Sequence, residues 1–156
     1  AGAKGVVFGV LKSNKEIDII VNTELTKISK AHGLEVVFHR AFDFCPDPIV
    51  GLSQLIEMGV DRLLTSGQEP KAIDGKDMIQ QLVEKARDRI SILPGSGVRA
   101  NNCKQIIAAT GAKEIHSSAR KTMPSLMTYN CPTMKENLIS MQTQQVHIRL
   151  HFIWMM

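Results

Sequence analysis

Val36-Val37-Phe38-His39-Arg40-Ala41-Phe42-Asp43 places three apolar residues directly ahead of three ionisable ones, His39, Arg40 and Asp43. A short apolar run that stops at a polar cluster reads as a buried strand with its C-terminal end at a functional face. The same grammar recurs on either side. Arg62-Leu63-Leu64-Thr65-Ser66 is followed by Gly67, Ser91-Ile92-Leu93-Pro94 by Gly95-Ser96-Gly97, and Glu114-Ile115-His116-Ser117 by Ser118 and Arg120. Gly5-Val6-Val7-Phe8-Gly9-Val10 precedes them all. The runs start at 5, 36, 62, 91 and 114, separated by 31, 26, 29 and 23 residues, the length of one strand plus a crossover helix. Five βα units are expected.

The segments between the runs carry helix signals. Asp47 before Pro48 is an N-cap with proline at the first helical position, and Ile49, Leu52, Leu55 and Ile56 form a stripe that stops at Gly59. Met78, Ile79, Leu82, Val83 and Ala86 recur at helical spacing between Asp74 and Arg89. Asn101 or Asn102 is placed to cap a helix through Ile106, Ile107 and Ala108 that ends at Gly111. His32 before Gly33 reads as another helix end.

One strand per unit leaves two architectures, a doubly wound sheet or a (β/α)8 barrel. The first run lacks a GxGxxG turn, and polar residues gather at several strand ends, which is the barrel pattern. The fold class expected is therefore α/β, a partial TIM (β/α)8 barrel of about five units over residues 1–120. A barrel has eight units in about 250 residues, so the chain, starting at Ala1 with no charged leader, is expected to begin in mid-fold.

Composition narrows the function classes. Of 156 residues, 44% are hydrophobic and 22% charged, as in an ordinary globular domain. A net charge of +4 with scattered Lys and Arg gives no nucleic-acid stripe. No apolar stretch reaches the ~18 residues of a membrane span. Cys45, Cys103 and Cys131 are far apart and odd in number, which suits a reducing compartment and the cytoplasm.

At the strand ends, strand parity forbids His39 and Arg40 from pointing the same way while the chain stays extended. The functional reading makes His39 a ligand or acid/base and Arg40 an anion clamp, with Asp43 holding one of the two. The alternative is a buried network that closes the barrel top. Gly95-Ser96-Gly97 and Ser117-Ser118-Ala119-Arg120 combine backbone N–H donors with a guanidinium, a pattern for anions, or else plain turn chemistry. Lys4 and Lys113 precede their strands, which argues against a Schiff base, and no second carboxylate joins Asp43 on that face. Cys45 adjoins the mouth as a lone thiol, and Cys103 reads as helix packing.

Gly5 to Leu11, Phe38-His39-Arg40-Ala41-Phe42-Asp43, Leu64-Thr65-Ser66-Gly67, Pro94-Gly95-Ser96-Gly97-Val98 and Glu114 to Arg120, taken in order, resemble the CutC copper-homeostasis family. The resemblance covers roughly residues 1–120. It implies a TIM barrel, a cytoplasmic and additionally nuclear location, homo-oligomers and Cu(I) as the bound metal, with no particular catalytic activity. It also implies a ligand-binding pocket at His39, Arg40, Asp43, Thr65, Ser66, Gly95, Gly97, His116, Ser118 and Arg120. The cysteines suggested as copper ligands in the family lie in its first strands, so no metal ligands are assigned here. Two other readings share the pocket: an enzyme that holds a phosphorylated small molecule while His39 or His116 moves a proton, and a non-functional or regulatory truncated isoform.

Beyond Arg120 the pattern changes to a divergent Met-rich tail, residues 121–156. Met123, Met127, Met134 and Met141 read as a packing stripe or a thioether set for Cu(I), broken by Pro124 and Pro132. Val146, Ile148, Leu150 and Phe152 alternate with polar residues, so an added strand is expected at 146–152, pairing with an open sheet edge.

Overall fold

A computed structural model describes residues 2–119, together with the backbone of two strands in the tail, Lys121–Pro124 and Thr143–Val146. The chain divides after Ser117 into two compact units.

In the first unit four strands, β1 (Gly5–Phe8), β2 (Glu35–Phe38), β3 (Arg62–Thr65) and β4 (Ser91–Pro94), alternate with four helices, α1 (Ile19–Ala31), α2 (Pro48–Met58), α3 (Lys76–Ala86) and α4 (Cys103–Thr110). The strands are all parallel and stand in chain order, β1-β2-β3-β4. A doubly wound sheet reverses its strand order at a switch point; steady progression to one side is how a barrel is laid down. The fold is α/β, a segment of a (β/α)8 barrel.

Register sorts the side chains into two faces. Phe38 pairs with Leu63 and Leu63 with Ile92, so these residues and Val36 share the face that packs against Leu52 and Leu55 of α2, Ile79 and Leu82 of α3, and Ile106 of α4. Val37, Arg62, Leu64 and Leu93 occupy the other face, the interior of a barrel. Val37 and Leu93 are buried as well, as expected where both faces of a parallel sheet are covered.

The helix ends follow local chemistry. Asp47 Oδ1 accepts the backbone N–H groups of Ile49 and Val50 at 2.9 and 3.0 Å, and α2 closes on Gly59 in the left-handed region at φ 77°. Asn102 stands at the N-cap of α4, but its Oδ1 accepts from Arg99 N instead of from the helix, which tightens the loop before it. His32 caps α1.

One expectation changes. The fifth run, Glu114–Ser117, forms no strand: its backbone meets β4 through His116 N–H to Pro94 O at 2.9 Å. Continued pairing on this side is limited because Pro94 has no N–H to give. In the second unit, β5 (Lys121–Pro124) pairs antiparallel with β6 (Thr143–Val146), so the backbone of Val146 lies opposite Lys121. The rest of the strand expected at 146–152, together with Met127, Met134, Met141 and Cys131, lies outside the described residues.

Candidate functional site

The C-terminal ends of β2 and β3 meet in one hydrogen-bonded cluster. After Phe38 the chain leaves the extended state at once and forms a 3-10 helix, Arg40–Phe44, with His39 as its N-cap. With three residues per turn, Arg40 and Asp43 come onto one edge. Arg40 Nε donates to Asp43 Oδ2 at 2.8 Å, and Arg40 Nη2 donates to Ser66 Oγ at 2.7 Å. The parity conflict between His39 and Arg40 is thus resolved by the turn, not by the strand.

Asp43 is the hub. Its side chain is 5% exposed, and it accepts from Thr65 Oγ1 at 2.5 Å and from the backbone N–H groups of Ser66 and Gln68 at 3.1 and 3.2 Å. Ser66 Oγ lies 2.9 Å from Asp43 Oδ2 and also beside the Glu69 carbonyl oxygen; its single proton serves one of them at a time. Each oxygen of this enclosed carboxylate faces more than one donor, so its burial leaves no lone pair without a partner nearby.

Arg40 differs. Its side chain is 40% exposed, and Nη1 makes no hydrogen bond among the described residues. The guanidinium is pinned through Nε and through Nη2, which also lies 3.4 Å from the Glu69 carbonyl oxygen, and among the described residues Nη1 is left over.

His39 is half-buried. Its Nδ1 accepts the Ala41 backbone N–H at 3.2 Å, and its ring stands edge-on to Phe38 with 6.0 Å between centroids. Gly9, beyond the end of β1, leaves the room it needs: a Cβ there would sit 2.7 Å from His39 Nδ1 and 2.9 Å from Cε1. In the sequence Gly9 stands out only as part of the first apolar run and of the family resemblance, not as the residue that makes room for His39. Its signal is a glycine just past a strand whose neighbour ends in histidine.

On the β4 side, Gly95 packs against the Leu64 side chain and His116, where a Cβ would be 2.5 Å from Leu64 Cδ1. Ser96 has a positive φ of 74° and its hydroxyl donates to Pro70 O at 2.7 Å, so it braces the β3–α3 loop. Gly97 lies against the Lys71 side chain. Burial lowers the pKa of His116 below its ordinary value, so its imidazole is held neutral. Ser118 belongs to the second unit, and Arg120 lies outside the described residues.

Sequence comparison matches this architecture. The CutC family profile covers residues 1–121. A CutC family protein of Glaesserella parasuis is 52% identical over 126 residues, 81% of this chain and 51% of the relative. One from Parabacteroides distasonis is 47% identical over 145 residues, 91% of this chain and 58% of the relative. The chain belongs to the CutC family. It spans about half the length of these relatives. The crystal structure of CutC from Streptococcus agalactiae, described as a candidate copper homeostasis protein, superposes with a TM-score of 0.68 at 36% identity, covering 74% of this chain and 56% of that one.

The described part of this CutC chain does not fit a copper site. Cu(I) favours soft thiolate and thioether ligands. Cys45 is 4% exposed, and its thiol is pushed up to about 11, first by burial and then by the negative charge of Asp43. No three His, Cys, Asp or Glu side chains converge as a metal-binding group among the described residues. Nor, among them, is any helix long and apolar enough to cross a membrane.

Proposed function

We propose that this chain serves copper homeostasis as part of a cytoplasmic and nuclear, self-associating CutC-type barrel, and that its strand-end cluster binds an anionic small molecule, not the metal. Arg40 carries the reading. Its guanidinium is oriented by Asp43 and Ser66, partly exposed, and left among the described residues with Nη1 as an unused donor, the arrangement that suits a carboxylate or phosphate oxygen. Family membership supports the copper connection, which in this reading runs through copper as cargo, held by groups other than the described ones.

Two titrations test it. Calorimetry with inorganic phosphate and a phosphorylated sugar should give saturable binding that Arg40→Met abolishes, while Cu(I) competed against a chelator should show no tight site that depends on Cys45. Tight Cu(I) binding lost in Cys45→Ser, without anion binding, would reverse the assignment.

A further inference from the structure

From the contacts of its ring we infer that His39 is a fixed hydrogen-bond donor through Nε2–H, which selects an oxygen acceptor on the ligand, and is neither a metal ligand nor a proton acceptor. The inference deepens the anion reading above and rests on it for the identity of the acceptor, but the tautomer stands on geometry alone.

A neutral imidazole carries one proton, and its other nitrogen accepts. At Nδ1 the choice is made locally, because the Ala41 backbone N–H donates to it at 3.2 Å. A proton on Nδ1 would set two N–H groups against each other and leave the Ala41 amide, in the first turn of the 3-10 helix, unsatisfied. The proton therefore sits on Nε2. Rotation about the ring axis is blocked as well: the Nδ1 and Cε1 edge lies against Gly9, too close for even a methyl group, and Phe38 stands edge-on to the ring. Nε2 makes no hydrogen bond among the described residues, although the residue is half-buried. A donor so constrained, and without an acceptor among the described residues, is prepared for a ligand oxygen.

The consequence is chemical. A metal or a substrate proton needs a lone pair at Nε2, which this tautomer lacks. A phosphate or carboxylate oxygen needs a donor, which His39 supplies at the same strand end from which Arg40, the following residue, reaches Asp43 and Ser66.

Long-range proton–nitrogen NMR of the imidazoles in the free protein decides the tautomer: Nε2 is expected to carry the proton, and an Nδ1–H signal for His39 overturns the inference whatever ligand binds. Substitution decides the role. With inorganic phosphate as probe, His39→Asn keeps an acceptor near the Ala41 amide but loses the distal donor, and should weaken binding roughly tenfold or more. His39→Gln places an amide donor near the Nε2 position and should recover part of that loss. Gly9→Ala should weaken binding with His39 intact by displacing the ring; if that variant fails to fold, the His39 pair still decides. Phosphate affinity that depends on Arg40 but is equal in wild type and His39→Asn would remove His39 from the site while leaving the anion reading in place. Absence of phosphate binding in the wild type would overturn that reading and leave the tautomer to NMR.

Discussion

The two ends of the sheet each hold an arginine with carboxylates, and they use it in opposite ways. At the N-terminal end, Arg62 of β3 has a side chain only 10% exposed and lies between Glu35 Oε2 and Glu114 Oε2, both at 2.9 Å. Burial opposes its charge, but the hydrogen bonds and charges of Glu114 and Glu35 outweigh that penalty and raise its pKa. At the C-terminal end, Arg40 meets among the described residues one carboxylate, and it has a 40% exposed side chain and Nη1 to spare. The lower arginine ties β2, β3 and the run through Glu114 together. The upper one is held ready. Conservative barrel logic, stability below and chemistry above, thus appears here in the number of carboxylates each guanidinium meets.

The comparison breaks first at Asp43. Asp43→Ala removes the acceptor shared by Arg40, Thr65 and the Ser66 and Gln68 amides, leaving buried donors unpaired, and should lower stability by about 3–5 kcal/mol in urea unfolding. A loss under ~1 kcal/mol would mean that water replaces the carboxylate freely and that the cluster is not preorganised. Next comes Arg62→Met, expected to lose about 2 kcal/mol, less than a fully buried pair because Glu35 is half exposed. The folded fraction should keep its phosphate affinity. Arg40→Met should show the mirror image, with stability within ~1 kcal/mol of wild type and phosphate binding lost. If both arginines changed stability and affinity in the same proportion, the division of labour between the two ends would fall.

Much of this was legible in the sequence, for definite reasons. The apolar runs of β2, β3 and β4 are continuous because both sides of those strands are buried, and Asp47-Pro48 with Gly59 marked α2 by cap chemistry alone. Asp43 could be assigned to His39 or Arg40 by its nearness in sequence, and the 3-10 turn, which the sequence does not announce, decides for Arg40. The long-range partners could not be assigned. Nothing local announces that Thr65 and Ser66 supply donors to Asp43, 22 and 23 residues away. Helix α1 was hidden for a different reason: it turns Asn22, Thr26 and Ser29 inward while Ile20 is 81% exposed, the reverse of an amphipathic signal. Asn22 is buried because its side chain accepts from Val10 N at 3.0 Å and donates to Val10 O at 2.8 Å, holding the loop after β1. The fifth run has the composition of a strand, but its ladder is restricted by the missing N–H of Pro94.

That fifth run joins the two ends, since Glu114 meets Arg62 below and His116 lies beside Gly95 above. Its smallest expected effect is on pH dependence. Burial depresses the His116 pKa from its ordinary 6.5, so as pH falls through that value the unfolded chain takes up the proton before the folded one does. Stability is therefore unaffected by His116 well above pH 6.5 and declines as pH drops from there through the folded-state pKa. His116→Gln, neutral throughout, should show a shallower decline over the same window in urea unfolding, with carboxylate titrations common to both proteins cancelling in the difference. Equal slopes would mean that the imidazole is solvated and that the run is anchored only at its Arg62 end. A steeper slope in wild type would show that both ends of the run are packed, the lower through the ion pair of Glu114 with Arg62 and the upper through a charge that must stay off.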